Sequence, residues 1–142
     1  MDSEFTDGTL AFIKYIIYYN RLDKDIPVEE RKPIKLFFAS PGGDLDVKNA
    51  LASVIDLSKT PVYGYAIGQV ASAAAFTFLH CHKRFALDSS VFLFHKGSSM
   101  FGGNATDTLA FYDDYKQEIN RLTKEITSYS TYTEEEVETN MK

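Results

Sequence analysis

The 142-residue chain has no tryptophan, a single cysteine, four prolines and no surplus of basic residues. Each shortage removes a class of explanation. Cys81 alone excludes an internal disulfide and fits a reducing compartment. Fifteen Lys and Arg against twenty Asp and Glu leave a net charge of -5. The basic pairs Arg31-Lys32 and Lys83-Arg84 stand apart, so no nucleic-acid groove is expected. The start, Met1-Asp2-Ser3-Glu4, lacks the basic region of a signal peptide. Phe12 to Tyr19 is apolar but short and broken by Lys14, so it cannot span a bilayer and no membrane partner is expected. No internal repeat, low-complexity tract or linker is visible. The expectation is one globular, cytoplasmic domain large enough to bury a core.

Apolar spacing then gives the elements. Asp7 to about Leu22 reads as a helix capped by Asp7, with Leu10, Ile13, Ile16, Ile17 and Asn20 on one face. A charged loop with two prolines leads to a strand at Ile34 to Ala39, expected to be buried on both sides near its end. Ser40-Pro41-Gly42-Gly43-Asp44 breaks that strand, and Leu45 to Leu57 reads as a second helix. Pro61 to Ile67 reads as a strand ending at Gly68, and Ala71 to Leu79 as a buried helix with Ser72 in its first turn. Strand and helix in alternation imply right-handed crossovers on a parallel sheet, an α/β fold. Two short β-runs follow, Arg84 to Leu87 and Ser90 to His95, then a Gly- and Ser-rich stretch from Lys96 to Asn104. Thr106 to about Tyr129 is the longest helix. At 1.5 Å per residue it makes a rod of about 36 Å, longer than a core of this size covers, so part of its apolar stripe is expected to meet another subunit. Thr133-Glu134-Glu135-Glu136 has the form of a capping box opening a last, solvated helix.

Three segments converge on one chemistry. In an open parallel sheet, sites gather at the carboxyl ends of the strands, where Ser40-Pro41-Gly42-Gly43, Ser72 and His95 all fall. Ser72 is suited to attack a carbonyl and His95 to take its proton, with backbone N–H groups holding the oxyanion. Gly42 and Gly43 let the backbone approach a substrate and reach angles other residues avoid. Taken singly, Ser72 is equally an ordinary helix cap and His95 a strand-end histidine. His80-Cys81-His82 has no distant fourth ligand and reads as a helix-end cluster, not a metal site. No cofactor is implied.

The order of these motifs resembles the ClpP family, the proteolytic subunits of the Clp ATP-dependent proteases. The family's S-P-G-G is Ser40-Pro41-Gly42-Gly43. Its nucleophile motif G-Q-A-A-S-M-G-A-F is Gly68-Gln69-Val70-Ala71-Ser72-Ala73-Ala74-Ala75-Phe76. The segment K-R-F-x-L-P-N-S is Lys83 to Ser90, the catalytic-histidine strand is Val91 to His95, and G-x-A-T-D is Gly103 to Asp107. The resemblance implies a ClpP/crotonase-like fold of stacked β-β-α units with a long handle helix from Thr106 to Tyr129. It implies a serine endopeptidase with Ser72 as nucleophile, His95 as base, and the N–H groups of Gly43 and Ala73 as oxyanion hole. It makes Lys96 to Thr106, with Gly102 and Gly103, a strand that pairs with a peptide substrate, with Gly42 also lining the substrate site. It further implies heptameric rings stacked as a tetradecamer, and unfolded polypeptide delivered by an AAA+ ATPase of the ClpX, ClpA or ClpC kind. Phe37, Phe85 and Leu87 fall where the family carries its apolar docking pocket for that ATPase, and read equally as ordinary core.

There are departures. Ala39 stands where the family has Asn, Lys96-Gly97 where it has Gln-Pro, and Ala73 where it has Met. The span from Ser72 to His95 is about two residues short, near His80-Cys81-His82. The family's first strand and axial loop would precede Met1, and its triad aspartate would fall about two residues beyond Lys142. Asp88, Asp107, Asp113 and Asp114 are the nearest carboxylates in sequence, at non-matching positions, and loss of the orienting carboxylate costs about 10⁴ in turnover. A non-catalytic ring subunit is therefore the alternative. A crotonase-type acyl-CoA enzyme is a further one, disfavoured by the Ser72 and His95 segments.

Overall fold

The computed structural model describes residues 4–97 and 102–141. The chain divides into two compact units, Met1–Leu93 and Phe94–Lys142.

The first unit is a parallel sheet with helices on one face. A 3-10 turn at Asp7–Thr9 leads into α1 (Leu10–Leu22). β1 (Ile34–Ser40) is followed by α2 (Leu45–Leu57), which Asp44 caps by accepting from the N–H groups of Asp46 and Val47. β2 (Val62–Ala71) runs into α3 (Ala73–Leu79), and β3 (Lys83–Ala86) and β4 (Val91–Leu93) complete the sheet. β2 is the hub. β1 pairs along one edge, and β3 and β4 pair in series along the other, at Tyr63–Ala66 and Gln69–Ala71.

Side-chain alternation sets the two faces of β1. Ile34, Leu36, Phe38 and Ser40 are buried, whereas Phe37 is 48% exposed. The expectation of burial on both sides is thus corrected at Phe37, whose face is open among the described residues. On the covered face, Leu51 and Ile55 of α2 and Phe76 of α3 are buried with Val62, Ala66 and Val70. Each such large side chain contributes about 1.5–3 kcal/mol. His80 at the end of α3 meets Asp56 of α2 at 2.8 Å and ties the two helices. Two other expectations change. Ile17 and Leu57 do not pack but stand 43% and 81% exposed. β2 does not stop at Gly68. Between Phe38 and Ser40 the register slips so that two residues of β1 face four of β2, and the strand resumes to Ala71.

The second unit holds α4 (Ala105–Tyr129) and α5 (Glu134–Asn140), packed on each other, with Leu122, Ile126, Val137 and Met141 buried. Leu109 and Tyr112, in the expected apolar stripe, are 66% and 54% exposed. α5 opens with the expected capping box: Glu136 N–H donates to the Thr133 hydroxyl, and Thr133 N–H donates to Glu136 Oε2 at 2.8 Å. That backbone donor, then the Thr133 hydroxyl, hold the Glu136 carboxyl below the ordinary glutamate range. A depressed folded value contributes stability that is complete above the ordinary range and lost as pH falls through the folded value. Melting curves of the wild type and Glu136→Gln should therefore differ at neutral pH and converge in acid.

Candidate active site

A single residue turns the chain between β2 and α3. Ser72 has φ 52° and ψ −130°, and among the described residues it is the only non-glycine at positive φ. A side chain held there costs about 1–3 kcal/mol, so neighbouring contacts must enforce it. Ser72 N–H donates to Leu93 O at 2.8 Å, and its carbonyl accepts from Phe76 N–H at 3.1 Å. Ala71, Ala73, Ala74 and Ala75 are all buried, leaving no room for the turn to relax. Ser72 occupies the N-cap position, yet its hydroxyl makes no capping hydrogen bond. As the first residue of α3, Ala73 has an N–H without an intrahelical acceptor.

Gly42 is pressed against this turn. A Cβ on it would lie 2.6 Å from Ser72 Cβ, 2.7 Å from Ala71 O and 2.9 Å from Ala73 N. Its φ of +102° also suits only glycine. Gly42 N–H donates to Ser40 Oγ at 3.2 Å, and its carbonyl accepts from Phe5 N–H at 2.6 Å. Gly43, at φ +144°, forms a parallel bridge with Phe5, whose own carbonyl accepts from Asp44 N–H. The two glycines thus sit between the Ser72 turn and an N-terminal clamp. Phe5, Ser40 and Leu93 do this positioning and were not singled out from sequence. A lone Phe in a polar leader gives no periodic signal, whereas Ser40 and Leu93 lie inside recognised motifs and act through atoms that a sequence pattern does not display.

β4 ends at Leu93, two residues before His95, not at the histidine itself. Within the second unit, Gly97 N–H donates to His95 Nδ1 at 3.2 Å, so the neutral ring carries its proton on Nε2. The Tyr115 hydroxyl lies 3.1 Å from both Lys96 O and Gly97 O. Residues 98–101 of the expected substrate strand lie outside the described residues; Lys96, Gly97 and Gly102 to Asn104 are not β-structure. Among the described residues nothing lies within 4 Å of where a Cβ on Gly102 would stand, and Gly103, at φ +131°, lies against Asp107. Asp107 in turn is held by Asn104 Nδ2 at 2.7 Å.

On the uncovered face of the sheet, Phe37, Tyr65 and Phe85 stack across three strands. Their ring centroids are 5.1 and 4.8 Å apart, at interplanar angles of 23° and 15°. Register places them side by side, Phe37 opposite Tyr65 and Tyr65 opposite Phe85. Leu87 is 56% exposed beyond the end of β3 and does not join the stack.

The His80-Cys81-His82 cluster disperses into separate structural roles. His80 pairs with Asp56, and His82 Nδ1 accepts from Val62 N–H at 2.8 Å. Cys81 is buried and its thiol is pushed up to about 12, chiefly by burial. The thiolate is the nucleophilic form, so Cys81 should resist iodoacetamide in the native protein at mildly alkaline pH and react once denatured. Mass spectrometry of the alkylated chain reads this directly.

A family model described as Clp protease matches residues 25–142. The chain is 38% identical over 98 residues to an ATP-dependent Clp protease proteolytic subunit 2 of Borreliella burgdorferi, covering 68% of this chain and 48% of that protein. It is 45% identical over 78 residues to the protein of the same name in Treponema pallidum, and 41% identical over 78 residues to that of Treponema denticola. Each of these two matches covers 54% of this chain and 39% of the relative. The matched stretches thus span less than half the length of these relatives.

Proposed function

The chain belongs to the Clp protease family, and on that premise we propose that it is a ClpP-like serine endopeptidase subunit acting on unfolded polypeptides. The observation that carries the reading is Ser72 at positive φ, its hydroxyl unused as a cap and Gly42 packed against its turn. A strained backbone that displays a hydroxyl at a strand-to-helix turn is the arrangement nucleophilic serines use. In this reading the Ser72 oxygen attacks the peptide carbonyl carbon and His95 accepts its proton. The Gly43 and Ala73 N–H groups hold the oxyanion, the leaving amine takes the proton back from His95, and water then hydrolyses the acyl-serine.

Support for His95 comes from its place in the sequence. It ends the Val91 to His95 segment that resembles the family's catalytic-histidine strand, and Leu93 O of that segment is bonded to Ser72 N–H. A base working through Nε2 needs its proton on Nδ1, so the Gly97 contact must be released in the productive state. That contact is the one observation favouring the second reading, a non-catalytic subunit of a mixed ring. A fluorophosphonate probe on the purified chain separates the two: labelling at Ser72 supports the peptidase, and absence of labelling in an assembled ring supports the second.

The two units are read as one ClpP-like domain of a cytoplasmic protein that assembles into heptameric rings, with α4 as the handle; no described helix is long and apolar enough to cross a membrane. The exposed Phe37–Tyr65–Phe85 stack is read as the face that receives an AAA+ ATPase. Aromatic anchors dominate such interfaces, so Phe85→Ser should weaken ATPase binding by about tenfold or more while leaving probe labelling of Ser72 intact. Surface plasmon resonance against the ATPase checks the first half and the probe the second.

A further inference from the structure

The peptide unit between Gly42 and Gly43 is flanked by the two residues least able to hold it. Gly42 has φ +102° and Gly43 φ +144°, and without side chains such a unit turns over against little steric resistance. Its orientation is set by a bond instead. Gly42 O accepts from Phe5 N–H at 2.6 Å. In a trans peptide the C=O and the N–H point in opposite directions. Because the carbonyl faces Phe5, the Gly43 N–H faces away from it. That N–H has no acceptor among the described residues, and Gly43 is exposed.

The peptides on either side are tied as well, through different atoms. Gly42 N–H donates to Ser40 Oγ at 3.2 Å, and Asp44 N–H donates to Phe5 O at 3.0 Å. In both of these the N–H is consumed. The 42–43 peptide differs: its carbonyl is held and its N–H is left to donate elsewhere. Phe5 is 1% exposed, so its ring anchors the bridge in the core. Turning the peptide over would set Gly42 O where the Gly43 N–H now lies, and an acceptor would replace a donor.

We propose that Phe5 is a positioning residue for the Ser72 reaction, its backbone N–H holding the 42–43 peptide in the one orientation that lets Gly43 donate to an oxyanion. This role rests on Ser72 being the nucleophile read above. The tetrahedral intermediate carries negative charge on the former carbonyl oxygen, and a carbonyl dipole turned toward that oxygen repels where an N–H stabilises. Phe5 touches neither substrate nor the reacting atoms and acts through Gly42. Its side chain secures the bridge, and its N–H sets the direction of the neighbouring donor.

Phenyllactate placed at position 5 of the full chain by nonsense suppression keeps the ring and replaces the N–H by an ester oxygen, which removes the bond to Gly42 O. On a fluorogenic peptide, kcat is expected to fall by on the order of 10²-fold with KM changed by less than about twofold, the loss typical of one oxyanion donor. The matched ester is the α-hydroxy analogue of aspartate at position 44. It removes the Asp44–Phe5 bond of the same bridge and leaves Gly42 O bonded, so it should cost a similar amount in melting temperature and far less in kcat. Phe5→Leu trims the buried ring but keeps the N–H, and should lower the melting temperature more than the position-5 ester while lowering kcat less. A crystal structure of that ester is expected to show the 42–43 peptide turned over. Three outcomes overturn the proposal: equal loss of kcat in the two esters, loss that tracks melting temperature across the three variants, or a position-5 ester whose 42–43 peptide keeps its orientation. A parent chain that neither hydrolyses peptide nor labels at Ser72 overturns the peptidase reading instead, and the peptide plane in the ester then decides by itself whether Phe5 holds it.

Discussion

Ser72→Ala is expected to abolish fluorophosphonate labelling and to lower peptide hydrolysis by on the order of 10⁴-fold or more. The fold should survive the change. Alanine removes only a hydroxyl that caps nothing, while the backbone bonds to Leu93 and Phe76 that hold the turn stay in place. The positive φ of 52° is unfavourable for serine and alanine alike, so melting temperature should move little. This combination, activity lost and stability kept, distinguishes a nucleophile from a structural serine. If Ser72→Ala hydrolyses a fluorogenic peptide as fast as the parent, the peptidase reading fails. If neither protein is labelled although rings assemble, the subunit is a scaffold for other chains.

The reason to expect so large a loss is local. Burial of the surrounding alanines fixes the backbone that carries the serine hydroxyl. A fixed nucleophile needs little reorganisation on the way to the tetrahedral intermediate. His95 is less constrained by what surrounds it, since Gly97 N–H occupies Nδ1, the nitrogen that an orienting carboxylate would have to accept from. Asp107 does not fill that role in the observed arrangement, because Asn104 holds it at the start of α4.

Much of the framework was legible in the residues. The strand read at Ile34 to Ala39, the break at Ser40-Pro41-Gly42-Gly43-Asp44 and the helix read at Leu45 to Leu57 match β1 and α2 to within a residue. Thr133 with Glu136 announced α5. The glycines misled in one place: Gly68 reads as a stop, yet the register slip absorbs it and β2 continues to the nucleophile turn. Amphipathic spacing also overstated burial. Ile17 and Leu57 have helical periodicity but face a groove rather than the core. The meeting of Gly42 with Ser72 was expressed only as two motifs thirty residues apart, because contact between crossovers depends on strand register, which sequence spacing does not encode. Tyr65 was passed over for the same reason. It joins Phe37 to Phe85 only because parallel pairing sets all three abreast.

That contact supplies the second large effect. Gly42→Ala should destabilise the chain and silence Ser72 together. The new methyl would meet Ser72 Cβ at 2.6 Å, and also Ala71 O and Ala73 N, which are backbone atoms that cannot swing aside. The φ of +102° adds strain of about 1–3 kcal/mol, and overpacking adds about 1–3 kcal/mol more. For a domain of this size the sum corresponds to a fall in Tm on the order of 10 °C. Whatever population remains folded must relieve the clash by moving the Ser72 turn, and a shift of about 1 Å at a reacting atom costs about 10²-fold in rate. Gly68→Ala is the matched control: the nearest atom to its added Cβ, Ala39 Cβ, is 3.5 Å away in ordinary contact and its φ is not positive, so stability should hold. Calorimetry of the two variants beside the parent decides the matter. A Gly42→Ala protein that melts with the parent and still labels at Ser72 would show that the glycine loop and the serine turn are not in the contact described.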